Sequence, residues 1–290
     1  MGMIARRPFI WANALHMLPS PDRHPPAGAF DRQHARVMPG GQGASMQRPR
    51  IVCHGFTSID GRIHPDRWTQ PAIGTRPNVV TLTDRQTMLA MHADGMVTGI
   101  DTVAGAHGIA IGRSLTDVPG EAANFFIKRL ERPLCIVHDP RAMLRLSTNR
   151  YEDGQIILIV ARDAHADYLE QARLARVSYV FAGDDGMDLA AAMQAIHAHY
   201  GSSLLVLRAD GRTNSAFMAA GLVDQVSVLV FPGLDATSGE GSLFESAVGA
   251  GPAAAKGTSL LHVSTQTLDG GIVWLRYLVE QAASAQERSR

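Results

Sequence analysis

A chain of 290 residues with 46% apolar and 19% charged content has enough material to bury one large core. Its 27 basic and 27 acidic residues cancel, so no overall field draws it to nucleic acid or to an anionic membrane surface. No apolar run nears the roughly 18 residues needed to cross a bilayer, because Gly, Asp or Arg interrupts the longest ones.

Residues 1–49 are rich in Arg, Pro, Gly and His and show no sustained period. Such a composition buries too little apolar area to offset ordering entropy, so a disordered extension is expected, with Met46 as an alternative start. Arg6-Arg7-Pro8-Phe9-Ile10 superficially resembles an export signal. The apolar region after it is short, contains His16 and lacks a small-residue cleavage site, and a solvated tail is the better reading.

From residue 50 a regular alternation begins. RIVCHGF (50–56) reads as a strand, and TDRQTMLAMHAD (83–94) as a helix capped by Thr83 or Asp84. Strands follow at 95–100, 133–138 and 155–161, then a helix at 165–175 and a strand at 177–183. A helix at 187–200 sets Leu189, Met193, Ile196 and Tyr200 on one face. After it come a strand at 203–209, a short helix at 213–221, a strand at 225–232, and two strands over 259–280 joined around Asp269-Gly270-Gly271. Continuously apolar strands such as IILIV and LLVL are expected where helices cover both faces of a parallel sheet. The pattern predicts one α/β domain over 50–281 with right-handed crossovers, a mostly parallel mixed sheet, a closing antiparallel hairpin, and a tail at 282–290.

Cys53 and Cys135 each lie inside a β-like apolar run, with no CxxC and no zinc spacing. Two buried thiols in a reducing cytoplasm are expected, and no metal site. The chain also lacks a GxSxG elbow, a Walker loop and a GxGxxG fingerprint, which removes support for hydrolase and nucleoside triphosphatase readings.

In an open α/β sheet, ligands collect beyond the carboxyl ends of the strands. Four such ends carry candidate chemistry here. The first, Thr57-Ser58-Ile59-Asp60-Gly61-Arg62, presents two hydroxyls and a carboxylate after a buried strand. Its Asp60-Gly61 pair alone reads as a tight turn. The segment after it, RIHPDRWTQPAIGTRPN, is too long and too rich in Pro and Gly for a return strand, and reads as a lid or pocket wall with Trp68 as a stacking surface. The second end runs from Thr98 to Gly105. The third, Arg208 to Asn214, enters a helix N-terminus, where free N–H groups favour phosphate; a plain cap by Thr213 or Asn214 is the competing reading. The fourth is a glycine-rich excursion over 231–242.

Taken in order, Ser58-Ile59-Asp60-Gly61-Arg62-Ile63, Gly99-x-x-Thr102-Val103, Asn214 followed by Ala219 to Gln225, Phe231-Pro232 and Trp274 to Tyr277 resemble the reductase domain of bacterial riboflavin biosynthesis. That family is the C-terminal domain of RibD, with the three-layer dihydrofolate-reductase-like fold. The resemblance implies an NADPH-dependent reductase, usually a homodimer, acting on a ring-opened ribosylamino-pyrimidine. It also implies Thr57 and Ser58 near the nicotinamide, Gly99, Thr102 and Val103 on the cofactor, and Ala209, Asp210, Gly211 and Asn214 at its phosphates. Arg113 and Arg208 become candidates for substrate, alongside Trp68, and Asp60 for catalysis. Where the family reads Glu-Gly-Gly, this chain has Arg208-Ala209-Asp210, and Ala90 replaces an arginine of the first helix. No zinc deaminase signature accompanies the domain. The resulting expectation is a reductase of a small heterocyclic or imine-bearing substrate, with the pathway reductase itself and a non-catalytic cofactor-binding homologue as alternatives.

Overall fold

The computed structural model describes residues 48–70, 78–108, 123–239, 241–245 and 255–281. Most of the predicted extension, the tail, part of the predicted lid, and Arg113 lie outside the described residues.

The strands are β1 (Arg50–Thr57), β2 (Gly95–Gly99), β3 (Leu134–His138), β4 (Arg150–Tyr151), β5 (Gly154–Val160), β6 (Ser178–Phe181), β7 (Leu204–Leu207), β8 (Gln225–Val230), β9 (Thr258–Thr267) and β10 (Val273–Gln281). The helices are α1 (Val79–Ala90), α2 (Ile100–His107), α3 (Ala166–Leu174), α4 (Leu189–Tyr200) and α5 (Gly211–Ala219). All described strands join one sheet in the order β4-β5-β3-β2-β7-β1-β8-β10-β9, with β6 also on β5. β1, β2, β3, β5, β6, β7 and β8 run parallel, β10 is antiparallel to β8, and β9 is antiparallel to β10.

The two faces of the sheet carry separate cores, which makes the three layers. Ile51 and Cys53 of β1 face Leu189, Met193 and Ile196 of α4 and Phe217 of α5. Val52, one residue out of phase, meets Met88 and Met91 at α1, as the strand period of two requires. Farther along the sheet, Val103 of α2 and Tyr168 and Leu169 of α3 join a third apolar group with Cys135. Both cysteines are free and buried. Burial pushes the Cys53 thiol far above its ordinary range, and burial followed by the charge of Glu152 pushes Cys135 up to about 12, so neither is a ready nucleophile.

Three helices differ from the sequence reading. α1 starts at Val79 after Asn78, and Thr83-Asp84 falls inside it. Val79 is drawn in by packing with Trp68, Phe231 and Trp274, and Asp84 is held by an ion pair that local sequence does not reveal. Ile100–His107 is helical rather than a loop. α5 is capped by Asp210 and not by Thr213 or Asn214.

Candidate functional site

The parallel strands place the carboxyl ends of β1, β2, β3, β7 and β8 along one rim. β7 sits between β2 and β1, so the chain leaves β1 on one side for β2 and later returns on both sides of it. That reversal of strand order is where an α/β sheet opens a crevice.

Specific contacts tie the four predicted ends together there. A Cβ placed on Gly99 would lie 2.6 Å from Asp210 Oδ2 and 3.2 Å from Thr213 Oγ1, so the second and third ends touch. Ser242 pairs with Arg62 in an isolated antiparallel bridge, joining the first end to the fourth. On Gly211 a Cβ would meet the Ser242 carbonyl at 2.4 Å and Glu245 Cγ at 2.8 Å, and the Gly211 carbonyl accepts the Glu245 N–H. Leu243 covers Gly55 of β1. At Gly211 the space a side chain would take is filled by backbone, the Ser242 carbonyl, whereas at Gly99 it is filled by the ends of the Asp210 and Thr213 side chains.

The first loop is built around its carboxylate. Ser58 donates its hydroxyl to Asp60 Oδ1 at 2.6 Å and accepts the Arg62 N–H. Asp60 also accepts the N–H groups of Asp235 and Ala236 at 3.2 and 2.8 Å. The Ser58 hydroxyl, then those two amides, hold the Asp60 carboxyl down at about 2. An exposed carboxylate so fixed is ionised at neutral pH, and it anchors the 235–236 turn. Thr57 is buried at the end of β1.

Trp68 is reassigned. It is buried, stacked on Phe231 at 5.4 Å between ring centroids and edge-on to Phe56. The indole therefore belongs to the apolar core with Phe231 and Trp274 rather than offering an exposed stacking surface. Val103 is fully buried in the apolar group around Cys135, so its side chain faces the core rather than a cofactor. Thr102 is exposed and accepts the hydroxyl of buried Thr98 at 2.6 Å.

At the third end, Asp210 Oδ1 accepts the N–H groups of Arg212 and Thr213 at 2.9 and 3.0 Å, and Oδ2 accepts the Thr213 hydroxyl at 2.8 Å. Asn214 is buried and donates to the carbonyls of Ala209 and Leu243, while its Oδ1 has no hydrogen-bond partner among the described residues. The donors that would receive a phosphate therefore hold Asp210. A dinucleotide pyrophosphate does not fit at the start of α5 with this carboxylate in place.

Arg208, expected to meet substrate, lies 2.8 Å from Asp84 Oδ2, with its guanidinium over the Phe56 ring. Asp84 Oδ1 lies 3.3 Å from His54 Nε2, and His54 Nδ1 is 2.9 Å from Ser227 Oγ, which accepts the Trp274 indole N–H. With Nδ1 accepting from the Ser227 hydroxyl, Ser227 both donates to His54 and accepts from Trp274, and Nε2 faces the Asp84 carboxylate. Burial raises the Asp84 pKa, but the Arg208 charge and His54 outweigh it, and the net shift is downward. Ser227, His54 and Asp84 are all about 1% exposed, so this Ser-His-Asp order is an internal strut that no substrate reaches.

His138 belongs to no motif in the sequence. It ends β3 opposite Gly99, and its Nε2 bonds the Gly186 carbonyl at 3.0 Å. Burial lowers its pKa, although the Gly186 carbonyl, Asp139 and Asp210 pull the other way. The only signal was its place as the last residue of PLCIVH.

With this geometry in view, the sequence matches the family described as RibD C-terminal domain over residues 49–272. The chain belongs to that family. Among solved structures it is similar to a pyrimidine reductase-like protein from Corynebacterium diphtheriae, at 15% identity and a TM-score of 0.57, covering 80% of this chain and 92% of the other. It is also similar to RibD from Acinetobacter baumannii, at 21% identity and a TM-score of 0.53, covering 81% of this chain and 59% of that one. At such identities these likenesses show the dihydrofolate-reductase-like fold. Curated proteins give no match.

Proposed function

We propose that this member of the RibD C-terminal family is a reductase that uses a nicotinamide dinucleotide, NADPH by family expectation, to reduce a small heterocyclic or imine-bearing substrate. One observation carries the reading: four loops far apart in sequence converge at the carboxyl ends of β1, β2, β7 and β8, through Gly99 against Asp210 and Ser242 against both Arg62 and Gly211. In a cofactor reductase the dinucleotide supplies the hydride, and the protein supplies position and electrostatics. The ribosylamino-pyrimidine of the pathway is the first substrate to try.

Asp210 favours a second reading, a homologue that keeps the fold without turnover, because its carboxylate occupies donors a cofactor phosphate would use. Titrating the purified chain with NADPH, following cofactor fluorescence and then absorbance at each candidate substrate, separates the two. Oxidation of NADPH with any heterocyclic or imine substrate supports the reductase. Binding without consumption across pteridines, imines and the ribosylamino-pyrimidine supports the second reading, and absence of binding to either nicotinamide cofactor ends both.

We further propose a homodimer in the cytoplasm. The edge strand β9 exposes Leu260, Leu261 and Val263, an apolar edge that a second copy would cover.

A further inference from the structure

We infer that Asp210 is this chain's own occupant of the anion seat at the start of α5, so that a nicotinamide dinucleotide binds only by displacing it. The identity of the ligand rests on the reductase reading above; the occupancy of the seat rests on geometry.

Three observations carry it. The carboxylate takes two backbone N–H groups and one hydroxyl, all from the first turn of α5, which is the donor set a phosphate uses at a helix N-terminus. Both glycine faces that would admit a pyrophosphate backbone-close are closed by the chain: Gly99 by Asp210 and Thr213, Gly211 by Ser242 and Glu245. Arg208, just before the loop, is held 2.8 Å from Asp84. Glu245 adds a second carboxylate at this end and accepts the Ser242 N–H at 2.7 Å. A pyrophosphate entering here meets like charge where it needs donors.

The carboxylate thus does two jobs that are separable by substitution. As a cap it stabilises α5, and glycine at that position loses little of the cap's worth. As an anion it excludes anions. Asp210→Gly frees the donors and removes the charge, whereas Asp210→Asn removes the charge and keeps an acceptor over the same N–H groups.

The test is a calorimetric and fluorescence titration of the full chain and of both variants with NADPH and, separately, with inorganic pyrophosphate, the fold of each being checked by circular dichroism and thermal melting. The expected result is NADPH binding at least about tenfold tighter in Asp210→Gly than in the wild type, with Asp210→Asn between them and pyrophosphate following the same order. Equal NADPH affinity in wild type and Asp210→Gly overturns the inference while leaving the reductase reading standing. Pyrophosphate gained by Asp210→Gly, with NADPH bound by none of the three proteins, upholds the inference and removes the reductase reading. If Asp210→Gly does not fold, Asp210→Asn decides, and an NADPH affinity unchanged from wild type overturns the proposal.

Discussion

Asp84 sits inside a helix where its neighbours suggest a cap, and its environment explains why a carboxylate is tolerated there. It is 1% exposed, between Arg208 and His54, and a buried pair broken on one side leaves the other charge uncompensated. Asp84→Ala is expected to cost about 3 kcal/mol in urea unfolding at pH 7, near the lower end for such breaks because Arg208 keeps some solvent access. The sign with pH follows from the depressed pKa. The carboxylate's contribution is fully present above the unfolded value of about 3.9 and is lost as pH falls through the lower folded value. The gap between wild type and Asp84→Ala should therefore narrow on going from pH 5 to pH 2; a gap constant over that range would show that packing, not charge, sets the loss. Neither Asp84 nor Asp60 was legible as a structural anchor in the sequence. Their partners, Arg208 for one and the Asp235 and Ala236 amides for the other, lie more than a hundred residues away along the chain.

At the scale of elements, close approach between strands is set by particular residues. A Cβ on Gly95 of β2 would lie 2.3 Å from the Leu134 carbonyl oxygen and 2.7 Å from its nitrogen, and backbone cannot move aside as a flexible side chain does. Gly95→Ala is expected to destabilise by about 2 kcal/mol in denaturant titration, as overpacking does in a well-filled interior; a change below about 0.5 kcal/mol would mean that β2 and β3 separate freely. Strands were the easiest elements to read, since IVCHGF, IILIV and LLVL carry a buried pattern along their length. α4 was equally plain, with Leu189, Met193, Ile196 and Tyr200 all buried. Asn78-Val79 carries no strong local signal for the start of α1, whereas Thr83-Asp84 imitates one. α2 is hard to read for a related reason: a helix of eight residues with a glycine inside is too short to show a period.

For the whole molecule, the remaining apolar surface points to association. β9 is ten residues long, ends the sheet, and exposes four consecutive residues from Leu260 to Val263, so both faces of this edge present apolar groups. Replacing Leu260 and Leu261 together by Lys is expected to shift the proposed dimer to monomer in analytical ultracentrifugation without loss of secondary structure; a wild type that is monomeric at all concentrations would refute the dimer. The amino-acid order alone determined the alternation of strands and helices, the burial of both thiols, the four loops that meet at the rim and the family. Each of these depends on periodicity or on short motifs, which are properties of neighbours in the chain. Only the tertiary structure decided that Trp68 belongs to the core, that Arg208 is held by Asp84, that Asp60 anchors a distant turn and that Asp210 fills the start of α5. Those outcomes depend on which side chain is nearest in space, and the folding of β7 between β2 and β1 sets that distance.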